Sequence, residues 1–221
     1  MKTDELILHL ARSAGPVARL PRPAIRLGRW VAVATMIAAA SVIAIGPRAR
    51  LGAAITQPAF AVSLVALLMA TVSAAAVALT MSVPGAERSP RRRAWPIAAV
   101  VVWVTSWLLM LAVSPAGHSR VFHAGCAIQI GVLGAISGWI LLAMLRKAAP
   151  LQPRWTAGMA AMAAVTLASA ATQVICPIDD PAHQLIGHVL IAAAVGLAGF
   201  IVGQRRLSRT PLDARSGMNI P

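Results

Sequence analysis

Residues 124–145 read AGCAIQIGVLGAISGWILLAML, an uncharged apolar stretch with a cysteine near its start and the basic pair Arg146 and Lys147 directly after its end. Wound as a helix rising about 1.5 Å per residue, such a stretch crosses a hydrocarbon core about 30 Å thick. A segment in lipid must satisfy its own backbone N–H and C=O groups, and a helix does so within itself. Five further runs of the same kind accompany it: Trp30 to Ile45, Ala59 to Val83, Trp95 to Val113, Trp155 to Cys176 and His183 to Gly203. The sequence therefore predicts an all-α polytopic membrane protein, a bundle of six transmembrane helices. The first run is the shortest, but Ile25, Arg26, Leu27 and Arg29 can lengthen it, because an arginine stem lies along apolar surface while its head reaches the interface.

Composition agrees with this reading. Of 221 residues, 58% are hydrophobic and only 12% charged, against roughly one quarter charged in a soluble domain. The six acidic and 20 basic residues all lie outside the apolar runs, as the cost of a charge at the bilayer centre requires. The net charge of +14 comes from short arginine tracts beside apolar segments. Their nearest anionic partner is membrane lipid, and no nucleic acid is expected as a partner.

The basic residues also orient the bundle, since an excess of Lys and Arg stays on the cytoplasmic side. The N-terminal tail carries Lys2, Arg12, Arg19, Arg22, Arg26 and Arg29; the second loop Arg88, Arg91, Arg92 and Arg93; the fourth Arg146, Lys147 and Arg154; the C-terminal tail Arg205, Arg206, Arg209 and Arg215. The intervening loops hold only Arg48, Arg50 and Arg120. Both termini are expected in the cytoplasm of a bacterium, with the chain in its inner membrane. Trp30, Trp95 and Trp155 each open a run beside basic residues, where an indole anchors at headgroup level.

Three parts follow: a cytoplasmic segment 1–29, a transmembrane domain 30–204 and a basic tail 205–221. The first part has too long a polar, proline-containing lead to be a cleaved signal and is expected to be retained. In it Thr3 stands as an N-cap, Asp4 and Glu5 suit the positive end of a helix dipole, and Leu6, Ile7, Leu10 and Ala14 recur at helical spacing. This short amphipathic helix either lies on the lipid surface or binds a partner's groove. Gly134-x-x-x-Gly138 and Gly199-x-x-x-Gly203 allow close helix approach.

Nearly all the reactive chemistry falls at the opposite face. Cys126 begins the fourth run and Cys176 ends the fifth, so both sit at one depth; His118, His123, His183, His188, Asp179 and Asp180 are close by. His123 and Cys126, three apart, share a helix face. Thiolate with imidazole suits zinc, copper(I) or cadmium, and the candidate ligands are His123, Cys126, Cys176, Asp179 and His183. Three states of the thiols stay open: a transient heavy-metal or zinc site, a disulfide, or free thiols packed as small apolar groups. Each histidine by itself reads as an interfacial residue. No obligatory cofactor is expected. Nor is an enzyme: two cysteines cannot provide the two pairs of a quinone-linked disulfide oxidase, and no phosphate loop, catalytic triad or intramembrane carboxylate is present.

Several local matches add a family. Met1-Lys2-Thr3-Asp4-Glu5-Leu6-Ile7, Gln57-Pro58-Ala59-Phe60, Cys126-x-x-x-Ile130, Leu145-Arg146-Lys147-Ala148-Ala149-Pro150 and Cys176-Pro177 together resemble the NrsF-type membrane anti-sigma factors, six-helix negative regulators of extracytoplasmic-function sigma factors. The resemblance implies that the cytoplasmic segment, through Asp4, Glu5, Leu6, Ile7 and Leu10, holds such a sigma factor at the membrane. It further implies that Cys126 and Cys176 sense a periplasmic heavy-metal or redox signal and release it. The chain departs from the family pattern at Ser63, where a basic residue is expected, and at Ile175, where a histidine is. The competing reading is a small metal or solute transporter component with an outward-facing Cys/His site, against which the membrane middle offers no carboxylate or histidine. A scaffold without a switch is a third.

Overall fold

The computed structural model describes residues 3–13, 20–83, 90–113, 123–148 and 150–208. Among them all regular structure is helical: α1 (Thr3–Ser13), α2 (Pro23–Ile45), α3 (Leu51–Ile55), α4 (Pro58–Thr80), α5 (Pro90–Val113), α6 (Ala124–Arg146) and α7 (Pro153–Ile175). The last rod, Pro181–Ser208, is built from α8 (Pro181–His183), a π-helical segment (Gln184–Leu190) and α9 (Ile191–Ser208). Six of the rods, all but α1 and α3, are long and apolar enough to span a membrane. His118, Arg88, Arg120 and the tail beyond Ser208 lie outside the described residues.

Proline sets where the rods begin. Pro23, Pro58, Pro90, Pro153 and Pro181 each open a helix, because the first turn has no use for the missing N–H and the ring already holds a helical φ. The rods accordingly start several residues before the apolar runs at the first and third spans, and one or two before them at the second, fifth and sixth. The short α3 has no counterpart in the apolar runs.

The bundle is arranged around α7, which is buried along nearly its whole length and packs against α2, α4, α6 and α9. Its alanines make that possible. A Cβ added at Gly138 would lie 3.2 Å from Ala164 Cβ, one at Gly203 3.1 Å from Ala157 Cβ, and one at Gly199 3.4 Å from Ala161 Cβ. Both glycine repeats thus face small residues of α7, where close packing does the work that water-driven burial does in a soluble core. On the outside, Met36, Ile43, Val101, Leu109, Ile128 and Leu197 are exposed, an apolar surface suited to lipid.

Buried polar groups are tied across helices. Trp107 donates its indole N–H to Ser63 Oγ at 3.0 Å, Ser63 donates to Gln173 Oε1 at 3.1 Å, and Gln173 Nε2 donates to the Phe60 carbonyl at 3.4 Å. This chain joins α5, α4 and α7, and it explains why a small hydroxyl occupies position 63. Thr71 and Thr166 share a hydroxyl hydrogen bond of 2.9 Å farther along the same interface.

Two expectations need correcting. Trp95 and Trp155 are exposed, as headgroup anchors would be, but Trp30 is 1% exposed and donates its indole N–H to the Ser137 carbonyl at 3.1 Å. It belongs to the buried core, with Ala34, Ala74 and Leu141, rather than meeting the headgroups. Arg26, expected to snorkel, is buried too: it donates to Ser82 Oγ at 3.0 Å and to the Met144 carbonyl at 2.6 Å. The carbonyls of a helix's last turn have no intrahelical partner, so a guanidinium finds acceptors there without an acid.

Candidate thiol and imidazole site

At the end of the bundle away from Arg26, the connections after α2 and after α7 converge on the start of α6. The C-cap of α2 is Gly46 at φ 94°, a left-handed conformation that glycine adopts without strain. It turns the chain so that Arg48 N–H donates to the Val174 carbonyl near the end of α7 at 3.0 Å. The Arg48 side chain grips Asp179 through both carboxylate oxygens and sits 5.3 Å over the Phe60 ring. The hydrogen bond to Asp179 raises the guanidinium pKa above its ordinary value, against its partial burial. This clamp fixes the Cys176–Asp180 loop.

Cys176 is the C-cap residue of α7, its N–H bonded to the Thr172 carbonyl at 2.7 Å. Cys126 lies in the first turn of α6. Their Sγ atoms are 3.5 Å apart, with Cys126 as donor, and both residues are buried. The Cys176 thiol, one residue past the end of α7, is held well below the usual thiol range. The hydrogen bond from Cys126 contributes most, burial opposes it, and His188 and the Ile178 N–H add to it. A thiol that donates to its neighbour favours a single thiolate in the pair, which is the reactive form for both metals and oxidants.

The histidines arrive from the last rod. Asp180 caps it by accepting from the N–H groups of Ala182 and His183, at 2.8 and 3.4 Å, and Gln184 Nε2 donates to the Ile178 carbonyl at 2.8 Å. His183 Nε2 lies 3.4 Å from Cys176 Sγ and 3.8 Å from Cys126 Sγ. His188 packs edge-on against it, with ring centroids 5.3 Å apart. In an α-helix of 3.6 residues per turn, residues five apart point about 140° away from each other. The π-helical segment, with its i→i+5 hydrogen bonds, stacks them instead. Gly187 leaves the room: a Cβ there would lie 2.9 Å from His183 Cε1.

Of the candidate ligands named from sequence, Cys126, Cys176 and His183 therefore come together. His123 sits at the rim, its Nδ1 4.0 Å from Cys126 Sγ. Asp179 does not join them, because Arg48 occupies its carboxylate. His188 was missed, and its five-residue spacing from His183 gives no α-helical signal. Both inner histidines are buried, 0% and 1% exposed, contrary to the interfacial role expected for them. Ligand atoms of Cys126, Cys176, His183 and His188 all lie within 4.8 Å of one another. A cavity of about 600 Å³, lined among others by Arg48, His123, Gln129, Cys126 and Cys176, opens onto the sulfur pair.

Compared with known protein families, residues 10–208, most of the chain, match the family described as NrsF, negative regulator of sigma F. No curated protein and no solved structure matches.

Proposed function

The chain belongs to the NrsF family, negative regulators of sigma F, and from that premise we propose that it holds an extracytoplasmic-function sigma factor at the bacterial inner membrane and releases it when a heavy metal or oxidant reaches Cys126 and Cys176. The family supplies the sigma factor as partner and a regulator, rather than a transporter, as the kind of protein. The observation that carries the sensing half is the buried Cys126–Cys176 pair at 3.5 Å, reached through a cavity.

The two ends of the bundle have different tasks in this reading. The excess of Lys and Arg assigns the Arg26 end to the cytoplasm and the thiol end to the periplasm. Helix α1 precedes the cytoplasmic end of α2. Its Asp4, Glu5 and Ile7 are exposed and offer an acidic start and an apolar side chain to a groove on the sigma factor, while the side chains of Leu6 and Leu10 lie outside those described. Ligation or oxidation of the thiols changes how α6 and α7 meet, and packed bundles shift between discrete arrangements rather than deforming smoothly. Moving the holding state from 99:1 to 1:99 needs a bias of about 5.5 kcal/mol, within reach of two metal–thiolate bonds or one disulfide.

The test uses full-length protein in detergent with the sigma factor encoded by the same organism. The native chain is expected to retain the sigma factor, and Ile7→Asp with Leu10→Asp to lose it. Cadmium or a thiol oxidant should elute it from the native chain and leave it on Cys126→Ser with Cys176→Ser. Elution from the cysteine-free variant as readily as from the native chain would refute sensing. Retention by the α1 variant would refute the assigned binding segment.

A further inference from the structure

We propose that Cys126, Cys176, His183 and His188 form one four-coordinate site for a borderline-to-soft divalent cation of the zinc and cadmium class, with the end of α8 and the π-helical segment after it supplying one imidazole each. This deepens the sensing reading and rests on it for physiological meaning, whereas the binding itself is measured without any sigma factor.

Geometry is the first argument. Around a tetrahedral ion about 2.3 Å from each sulfur and about 2.0 Å from each nitrogen, sulfurs stand about 3.8 Å apart, and sulfur and nitrogen about 3.5 Å. The Sγ–Sγ distance is 3.5 Å, and His183 Nε2 lies 3.4 and 3.8 Å from the two sulfurs. Three corners of the polyhedron are therefore in place within a few tenths of an ångström. His188 offers the fourth from inside the same 4.8 Å group.

Charge is the second. When an ion binds, the proton remaining on the pair goes to solvent, and two thiolates with two neutral imidazoles leave a divalent complex with no net charge. That is the arrangement a buried site tolerates best. No carboxylate belongs to the group: Asp179 is held by Arg48, and Asp180 caps α8. Hard cations such as magnesium and calcium, which demand oxygen ligands, are thereby disfavoured.

The third is the state of the histidines. His183 turns its Nε2 to both sulfurs and His188 packs edge-on against it, with both rings buried. The backbone has also adopted the rarer i→i+5 winding over the seven residues that follow His183 and include His188, a feature found mostly at functional sites. Gly187 removes the one side chain that would press on His183.

The experiment loads reduced full-length protein in detergent with cobalt(II), zinc or cadmium, each alone. One ion per chain is expected, with the intense visible absorption of tetrahedral cobalt and sulfur-to-metal charge transfer. X-ray absorption on the zinc form should give two sulfur and two nitrogen neighbours. His183→Gln and His188→Gln should each weaken binding at least tenfold while leaving helicity and elution volume unchanged. Sulfur-only coordination, Gln variants within twofold of the native affinity, or no uptake by reduced protein would each overturn the proposal. If the histidine variants fail to fold, the neighbour count on the native chain decides alone. Normal two-sulfur, two-nitrogen binding with no release of the sigma factor would instead leave the site standing and sink the sensing reading.

Discussion

Cys126 Sγ and Cys176 Sγ lie 3.5 Å apart, in contact but unbonded, although fifty residues separate them along the chain. The contact is made by the first turn of α6 against the C-cap residue of α7.

Mild oxidation of the reduced protein should therefore join these two thiols within one chain. Both alkylatable thiols would disappear together on a peptide map, with no dimer on a non-reducing gel. Because the sulfurs are buried, an inter-chain disulfide as the main product would contradict the arrangement.

Gly187→Ala places a methyl 2.9 Å from His183 Cε1, and the ring is buried with nowhere to retreat. Overpacking of this kind costs about 1–3 kcal/mol. Gly131→Ala, with nothing within 4 Å of the added carbon, serves as the matched control and should be neutral. Chemical unfolding in detergent separates them, and equal stability of the two variants would refute the crowding at His183.

Breaking the Arg48–Asp179 clamp should loosen the loop that carries Cys176. Asp179 is 40% exposed on its side chain while Arg48 is 6% exposed, so water weakens the pair and a double-mutant cycle should give about 1–2 kcal/mol of coupling. Arg48→Ala also removes one wall of the cavity, and a maleimide should label Cys176 several-fold faster. An unchanged labelling rate would mean the clamp does not gate access.

Ser63→Ala removes the hydroxyl that joins Trp107 to Gln173. It leaves an indole N–H and an amide oxygen unpaired in the apolar interior, at a cost of about 1–3 kcal/mol. Ser63→Arg, which restores the basic residue of the family pattern, should be worse, because position 63 is 0% exposed. An arginine variant as stable as the native chain would show that this interior admits water.

What the sequence made legible is the part governed by composition and period. Uncharged runs gave six spans, and the shared depth of Cys126 and Cys176 anticipated a meeting that the packing of α6 on α7 provides. What it concealed depends on contact. Trp30 reads as an anchor beside Arg29, yet the Ser137 carbonyl and the core around it hold it inside. Asp179 reads as a ligand beside Cys176, yet an arginine 131 residues away claims it. His188 reads as a neighbour of the thiols but not as a ligand, for a different reason: a pattern search at three and four residues assumes an α-helix, and the decisive turn is not one.

That turn has a consequence for how the site could be gained or lost. Relative to an ordinary helix, a π turn carries one surplus residue, so the Gln184–Leu190 segment behaves as a single-codon insertion that the helix absorbed instead of expelling. Deleting one residue there but beyond His188, Val189 for example, would return the rod to an even pitch with the histidines still five residues apart, and leave Gly199 and Gly203 facing α7. The two imidazoles would then point to different sides. By that account the bundle and the site are separately heritable: one frame-preserving deletion erases the chemistry and spares the architecture.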